Sequence, residues 1–424
     1  IRDAQESRGL GDVYKRQIID WHLDFIHNYR FNPEAFFTDI KPASYPGGYD
    51  IKVPWELSRF QHLVWIGQAY WLTEDEKYPQ AFVTQVTDWI ARNPYPWGVN
   101  WACAMEAGIR VVNWLLAYFF MHRSPAIQTE FKELFASNLW LHGKHIWRNL
   151  ENLGVTNNHY IANLVGLICL GFVCHGFREA KRWLEFSLRE LEKEVLKQVY
   201  DDGVSFEAST SYHRLTLEMV LFATIVAQMN GHSFNPDFMT RLQKMLEFVM
   251  NSTKPDGTIS LVGDHDNGRL HRLKIWKPVD REWIDFRYLL AIGAMVFDRE
   301  DFACFAEDQW EEAIWIFGGK CRKFLEVLKS SRVNCFQKSC AYPKGGIYLI
   351  RHCDTYVMIR GGANPQNLRS HAHNDCLSFE FFSQGVTWVA DPGCYVYTSD
   401  YEARNTFRST RYHNTICVAG AEQS

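Results

Sequence analysis

HAHNDCLSFEFF (His371–Phe382), followed shortly by GVTWVADPG (Gly385–Gly393), decides how this chain divides. Within them Leu377–Phe382 and Val386–Ala390 are short aromatic or β-branched runs bounded by Gly, Asn and Pro, which is strand and hairpin composition. Gly345–Ile350, Thr355–Ile359 and Asn414–Val418 have the same character, so residues 330–424 are expected to form a β-rich domain. The last residues, Ala419–Ser424, read as cut rather than concluded. On an extended strand His371 and His373 point to one face, about 6.6 Å apart. With Asp391 and His413 they have the composition of a zinc site with one imidazole to spare. If His373, Asp391 and His413 take the metal, His371 is left to exchange protons near neutrality.

Upstream the texture is different. Trp55–Leu72, Tyr78–Arg92, Cys103–Met121, Gln128–Asn149, His159–Cys174, Glu179–Val199, Arg214–Met229 and Asp237–Met250 carry apolar residues at three- and four-residue spacing. Short Pro-, Gly- and Asn-containing connectors join them, with no strands between, so successive antiparallel hairpins are expected. In so long a chain these curve into a ring or solenoid rather than one bundle. The helical domain is placed at 18–329. Residues 1–17 are polar and aperiodic, and are set aside as a leader foreign to the fold.

Composition narrows the function. The 424 residues exceed what one core usually organises. A net charge of -4 argues against nucleic acid as the main partner. No apolar run is long enough to span a bilayer. Eleven cysteines without CxxC spacing argue against a disulfide framework. Aromatic residues reach 15%, with 16 Trp, and serve either helix packing or a sugar-binding surface.

Several motifs carry chemistry beside a plainer structural role. Asn157-Asn158-His159 precedes an apolar helix, where an Asn caps orphan donors; Asn158 and His159 can instead reach into a cleft as donors, aided by the helix dipole. Tyr212 is either a half-buried tyrosine at a helix start or a phenol that exchanges protons. Gly263–Arg269 (GDHDNGR) is explained by Asx turns, with a cation site as the alternative. Glu106 and Arg110, four apart, form a helical pair or, with Trp101, line a groove. Arg408 and Arg411 bind an acidic group or pair with nearby carboxylates.

IDWHLD (Ile19–Asp24), WELSRFQHL (Trp55–Leu63), NWACAMEAGIR (Asn100–Arg110), NNHY (Asn157–Tyr160), DGVSFEASTSYH (Asp202–His213), GDHDNGR, HAHNDCLSFEF and DPGCYVYTSDYEARNTFRSTRYHNT (Asp391–Thr415) occur in that order. Together they resemble the heparinase II/III-like family of polysaccharide lyases, from about Ile18 to the C-terminus. The resemblance implies an incomplete α/α toroid followed by an antiparallel β-sandwich, with the active site between them. It implies that Asn158 and His159 neutralise a uronate carboxylate, that Tyr212 and His371 exchange the protons, and that His373, Asp391 and His413 hold a zinc. A further active-site tyrosine is expected among Tyr395, Tyr397 and Tyr401, with Tyr397 and Arg408 beside the substrate.

The expected reaction is β-elimination on an acidic, uronate-containing polysaccharide. IDWHLD and NWACAMEAGIR resemble members associated with bacterial surface-polysaccharide loci, which points to an exopolysaccharide and to the periplasm or cell envelope. A glycoside hydrolase on an α/α toroid is the first rival, but it needs paired carboxylates. A non-catalytic binding or assembly factor is the second.

Overall fold

The computed structural model describes residues 19–41, 48–275, 283–330, 338–362 and 371–423, so the expected leader at 1–17 lies outside the described residues. A two-stranded ribbon, β1 (Leu23–Asp24) and β2 (Tyr29–Arg30), precedes the helices.

The helices alternate between two layers. Gln61–Thr73, Ala104–Met121, Asn158–Val173, Thr210–Met229 and Arg287–Phe297 pack successively on one another as an inner layer. Lys77–Arg92, Thr129–Arg148, Ala180–Gln198 and Pro236–Ser252 lie outside them. The sequence explains the assignment: Thr210–Met229 is buried on nearly all sides, whereas Ala180–Gln198 buries one stripe and exposes a charged face. This is the α/α toroid. The expected helix Trp55–Leu72 is in fact two, Lys52–Ser58 and Gln61–Thr73, because Phe60 takes a left-handed conformation (φ 59°) between them.

An irregular strap, residues 258–275, crosses the inner layer. Its buried carbonyls need donors, and side-chain amides supply them: Gln61 to Arg269 O (2.6 Å), Gln68 to Leu273 O (2.7 Å) and Asn113 to Leu270 O (2.8 Å). Arg269 is fully buried and bonds Glu218 and Glu312, each at 2.6 Å. The GDHDNGR loop is thereby fixed inside the ring.

The C-terminal domain is a five-stranded antiparallel meander, β3 (Cys340–Tyr342), β4 (Ile347–His352), β5 (Thr355–Arg360), β6 (Phe379–Ser383) and β7 (Val386–Val389). Its inner face, with Tyr342, Ile347, Leu349, Tyr356, Met358 and Phe382, packs on Val204, Phe248 and Val262 of the helical domain. A buried Lys254–Glu380 ion pair (3.4 Å) and Tyr356 Oη donating to Ser252 O (3.1 Å) reinforce the junction. Tyr348, Ile350, Phe379, Val386 and Trp388 are exposed on the strands, on the side where a sandwich sets its second layer.

Two expectations are corrected. Asn414–Val418 is not a strand: Ile416 and Val418 are exposed and no strand pairs with them among the described residues. His371–Asp375 is a loop before β6, not part of a strand. It is pinned by Asp264 N to His371 O (2.8 Å), Asn374 N to Arg408 O (3.0 Å) and the Arg408 guanidinium to Ala372 O (2.7 Å). Nine of the cysteines are free, and Cys304 is disulfide-bonded.

Candidate active site

Two helix starts face the sheet domain. Asn157 caps its helix by accepting from His159 N (3.0 Å), and Ser209 caps the next by accepting from Tyr212 N (3.1 Å). The caps are thus Asn157 and Ser209, while Asn158 and Tyr212 lie within the first turns. Glu207 accepts from Asn158 N at 2.7 Å and from the Asn158 amide at 2.9 and 3.1 Å. Its other neighbour is His371 Nε2, 3.8 Å away.

The Tyr212 and His371 rings stack at 3.5 Å between centroids and 13° between planes. Tyr397 bridges them, donating to Tyr212 Oη at 2.8 Å and meeting His371 Nδ1 at 2.7 Å. Tyr212 in turn donates to Asp266 (2.9 Å), which also takes Lys52 Nζ (2.8 Å). The Lys52 ammonium lies 3.5 Å from the Tyr397 ring centroid. Since Tyr397 gives its proton to Tyr212, the contact with His371 needs a proton on Nδ1, which leaves Nε2 as the basic nitrogen. Among Tyr395, Tyr397 and Tyr401, the geometry selects Tyr397.

Asp264 sits beneath, with His371 Nδ1 at 3.1 Å from one oxygen and His373 Nε2 at 2.9 Å from the other. Burial opposes its charge, but those hydrogen bonds hold the carboxyl well below the usual range. Burial also opposes charge on Asp266, and Lys52 outweighs it. For Tyr212, burial first and Asp266 second push the phenol well above its ordinary value, against the hydrogen bond from Tyr397. Tyr212 therefore keeps its proton here.

His159 turns elsewhere. Its Nδ1 pairs with Glu151 (2.8 Å) and lies 3.8 Å from Cys103 Sγ, at a cavity of about 670 Å³ lined by Phe37, Trp101, Arg148, Glu151, Asn157 and His159. Burial depresses its basicity, but Glu151 and Cys103 lift it well above the ordinary imidazole value.

Of the expected groove residues, Trp101 borders the cavity beside His159, whereas Glu106 and Arg110 are 2 and 0% exposed and line no groove there. Glu106 does not bond Arg110; both its oxygens take Arg59, at 2.7 Å each. Arg110 is spent on the carbonyls of Ser58 (2.8 Å) and Asn100 (2.9 Å), because the Ala104–Met121 helix has neighbours on every side. Arg408 is turned onto the His371–His373 loop.

His373, Asp391 and His413 do come together, though not as three donors around one point. Among the described residues, donors converge within 4.8 Å at Cys103/Glu151/His159 and at Glu218/His271/Glu312. The His373 and His413 ring centroids are 5.2 Å apart, and His413 Nδ1 bonds Asp391 at 2.7 Å. His413 Nε2 is buried with no hydrogen-bond partner, as a metal-facing nitrogen would be. The histidines thus fit a metal, with Asp391 as the carboxylate that orients one of them.

Lys52 and Glu207, which were given no role from sequence, also meet these side chains, as do Asp264 and Asp266 of the GDHDNGR loop. The Asx-turn reading is right for Asp266 Oδ1, which accepts from Gly268 N (3.0 Å), but its second oxygen holds Tyr212.

A helical toroid and a sheet that jointly bury a stacked Tyr/His pair, with a second tyrosine bridging it, define a protein of two domains with a shared site. The chain belongs to the heparinase II/III family: the family model described as "Heparinase II/III N-terminus" matches residues 5–285, and "Heparinase II/III-like, C-terminal" matches 337–424. It is 24% identical over 399 residues to a heparin-sulfate lyase of Bacteroides stercoris, covering 87% of this chain and 54% of that protein. To a heparin-sulfate lyase of Pedobacter heparinus it is 25% identical, covering 87% and 52%. The chain thus spans about half the length of these relatives. A crystal structure of heparinase III superposes with a TM-score of 0.69 at 19% identity, covering 90% of this chain and 58% of that one. A heparan sulfate lyase from Pedobacter heparinus gives 0.59 at 24%, covering 91% and 56%.

Proposed function

We propose that the protein is a polysaccharide lyase that cleaves a uronic-acid-containing polymer by β-elimination. The observation that carries this is the stacked Tyr212–His371 pair bridged by Tyr397, beside Asn158 at a helix N-terminus. His371 Nε2 takes the C5 proton, the electron pair forms the C4–C5 double bond, and the C4–O bond breaks as Tyr212 protonates the leaving oxygen. Negative charge builds on the uronate carboxylate in the transition state. The helix end that begins at Asn158 supplies stabilising positive potential there.

The site's acidic groups are arranged in pairs with cations or hydrogen-bonded to amides, not as two carboxylates flanking a sugar, which disfavours hydrolysis. The two relatives are named for heparin sulfate; the motif texture here favours a bacterial exopolysaccharide handled in the periplasm or cell envelope. A zinc at His373 and His413, with Asp391 behind, would order the loop that carries His371.

The test is incubation of the full-length protein with a panel of uronate polysaccharides, read by ultraviolet absorbance of the unsaturated product. Absorbance lost in Tyr212→Phe and His371→Ala supports elimination. New reducing ends without absorbance would make it a hydrolase, and binding of the native polymer without either signal an assembly factor.

A further inference from the structure

We propose that Cys103, Glu151 and His159 form a binding site for a thiophilic divalent cation such as zinc, separate from the His373/His413 set and independent of the lyase reading. Three donors of different type, from three separate stretches of chain, converge: Cys103 Sγ to Glu151 Oε1 is 3.6 Å, Cys103 Sγ to His159 Nδ1 is 3.8 Å, and His159 Nδ1 to Glu151 Oε1 is 2.8 Å. A tetrahedral zinc with bonds of about 2.3 Å to sulfur and about 2.0–2.2 Å to nitrogen and oxygen keeps its donors about 3.4–3.6 Å apart. Adjustments of about half an ångström convert one arrangement into the other.

The supporting groups are already in place. Glu151 Oε2 is held by Met105 N (2.8 Å) and the Asn163 amide (3.1 Å), which turns Oε1 toward the sulfur and the imidazole. Asn163 Oδ1 also accepts from Glu151 N (2.8 Å), so one buried amide fixes both ends of the residue. This is the outer support that metal-binding carboxylates require. Asn157 sets the third donor by accepting from His159 N. The cluster borders the cavity of about 670 Å³, which leaves a fourth coordination position for water or a substrate oxygen. With Nδ1 on the metal, His159 keeps a proton on Nε2 and remains a donor.

The other convergent cluster, Glu218/His271/Glu312, is a poorer candidate because Arg269 already neutralises both its carboxylates.

Cobalt(II) is the probe, since only a thiolate ligand gives an intense near-ultraviolet charge-transfer band. Titrating the metal-stripped full-length protein should produce this band, and zinc should displace it. Cys103→Ser should abolish the band while leaving the circular dichroism melt in place. Glu151→Gln, which keeps the Asn163 contact, should weaken cobalt binding at least about ten-fold. No band at excess cobalt, a band that survives in Cys103→Ser, or unchanged affinity in Glu151→Gln overturns the assignment. The His/His/Asp set has no thiol and cannot imitate the signal.

Discussion

Tyr212 and His371 lie face to face, 3.5 Å between ring centroids, although one starts a toroid helix and the other belongs to a loop of the sheet domain. Tyr397 Oη touches both, so the three residues act as one hydrogen-bonded unit. Tyr212→Phe removes the proton donor but keeps the stack; activity on the native polymer should fall about 10²–10⁴-fold with little change in thermal midpoint. Tyr397→Phe should also slow turnover, because it leaves His371 Nδ1 with Asp264 alone and deprives Tyr212 of its donor. Steady-state rates on the two variants and their double mutant check this. Additive losses would show that the residues do not work together.

Asp264 stands between His371 and His373. Asp264→Asn keeps the shape and loses the charge, so turnover should drop about 10–100-fold, as when an outer-shell carboxylate is lost. Because the folded carboxyl is depressed, its stabilisation is present above the unfolded value of about 3.9 and disappears as pH falls through the folded one. Thermal midpoints of wild type and Asp264→Asn should differ at pH 7, and the difference should begin to shrink only as pH falls below about 4.

Glu207 is 1% exposed and takes both donors of Asn158. Glu207→Ala leaves them unpaired, which costs about 1–3 kcal/mol each. A denaturant double-mutant cycle with Asn158→Ala should give a coupling of about 0.5–3 kcal/mol; a coupling near zero would mean Asn158 is positioned by something else.

Gly263 has φ +67°, and a Cβ there would lie 2.3 Å from Ala208 O and 2.5 Å from His371 O. Both obstacles are backbone. Gly263→Ala should destabilise by about 1–3 kcal/mol and displace His371 from Tyr212, so activity should fall beyond what the melting curve explains.

His159 carries the opposite sign of pH dependence. Its folded value is raised, so the Glu151 contact stabilises the fold fully below about pH 6.5 and is lost as pH climbs through the higher folded value. The midpoint difference between wild type and Glu151→Gln should be large at pH 6 and shrink under alkaline conditions.

Residue identity made much of the site legible. Asn158, Tyr212, His371 and Tyr397 carry distinctive chemistry in distinctive motifs, and helical periodicity located the toroid. What stayed hidden is partnership over long separations: Lys52 meets Asp266 214 positions away, and nothing local in either residue announces it. Glu106 and Arg110 show the reverse error. Four-residue spacing says that two side chains share a helix face, but not that Arg59 and backbone carbonyls compete for them. The HxH pair was likewise placed on a strand by its spacing, whereas its common aim comes from sharing Asp264.

Asp266 gathers Lys52 from the Lys52–Ser58 helix and Tyr212 from the Thr210–Met229 helix, and Tyr212 answers to Tyr397, 185 positions further on. During synthesis the N-terminal domain folds first. A nascent toroid therefore carries Tyr212 and Asn158 but has neither His371 nor Tyr397 to work with. The proposed proton-transfer unit is thus assembled only after translation has passed Tyr397 and the sheet has docked.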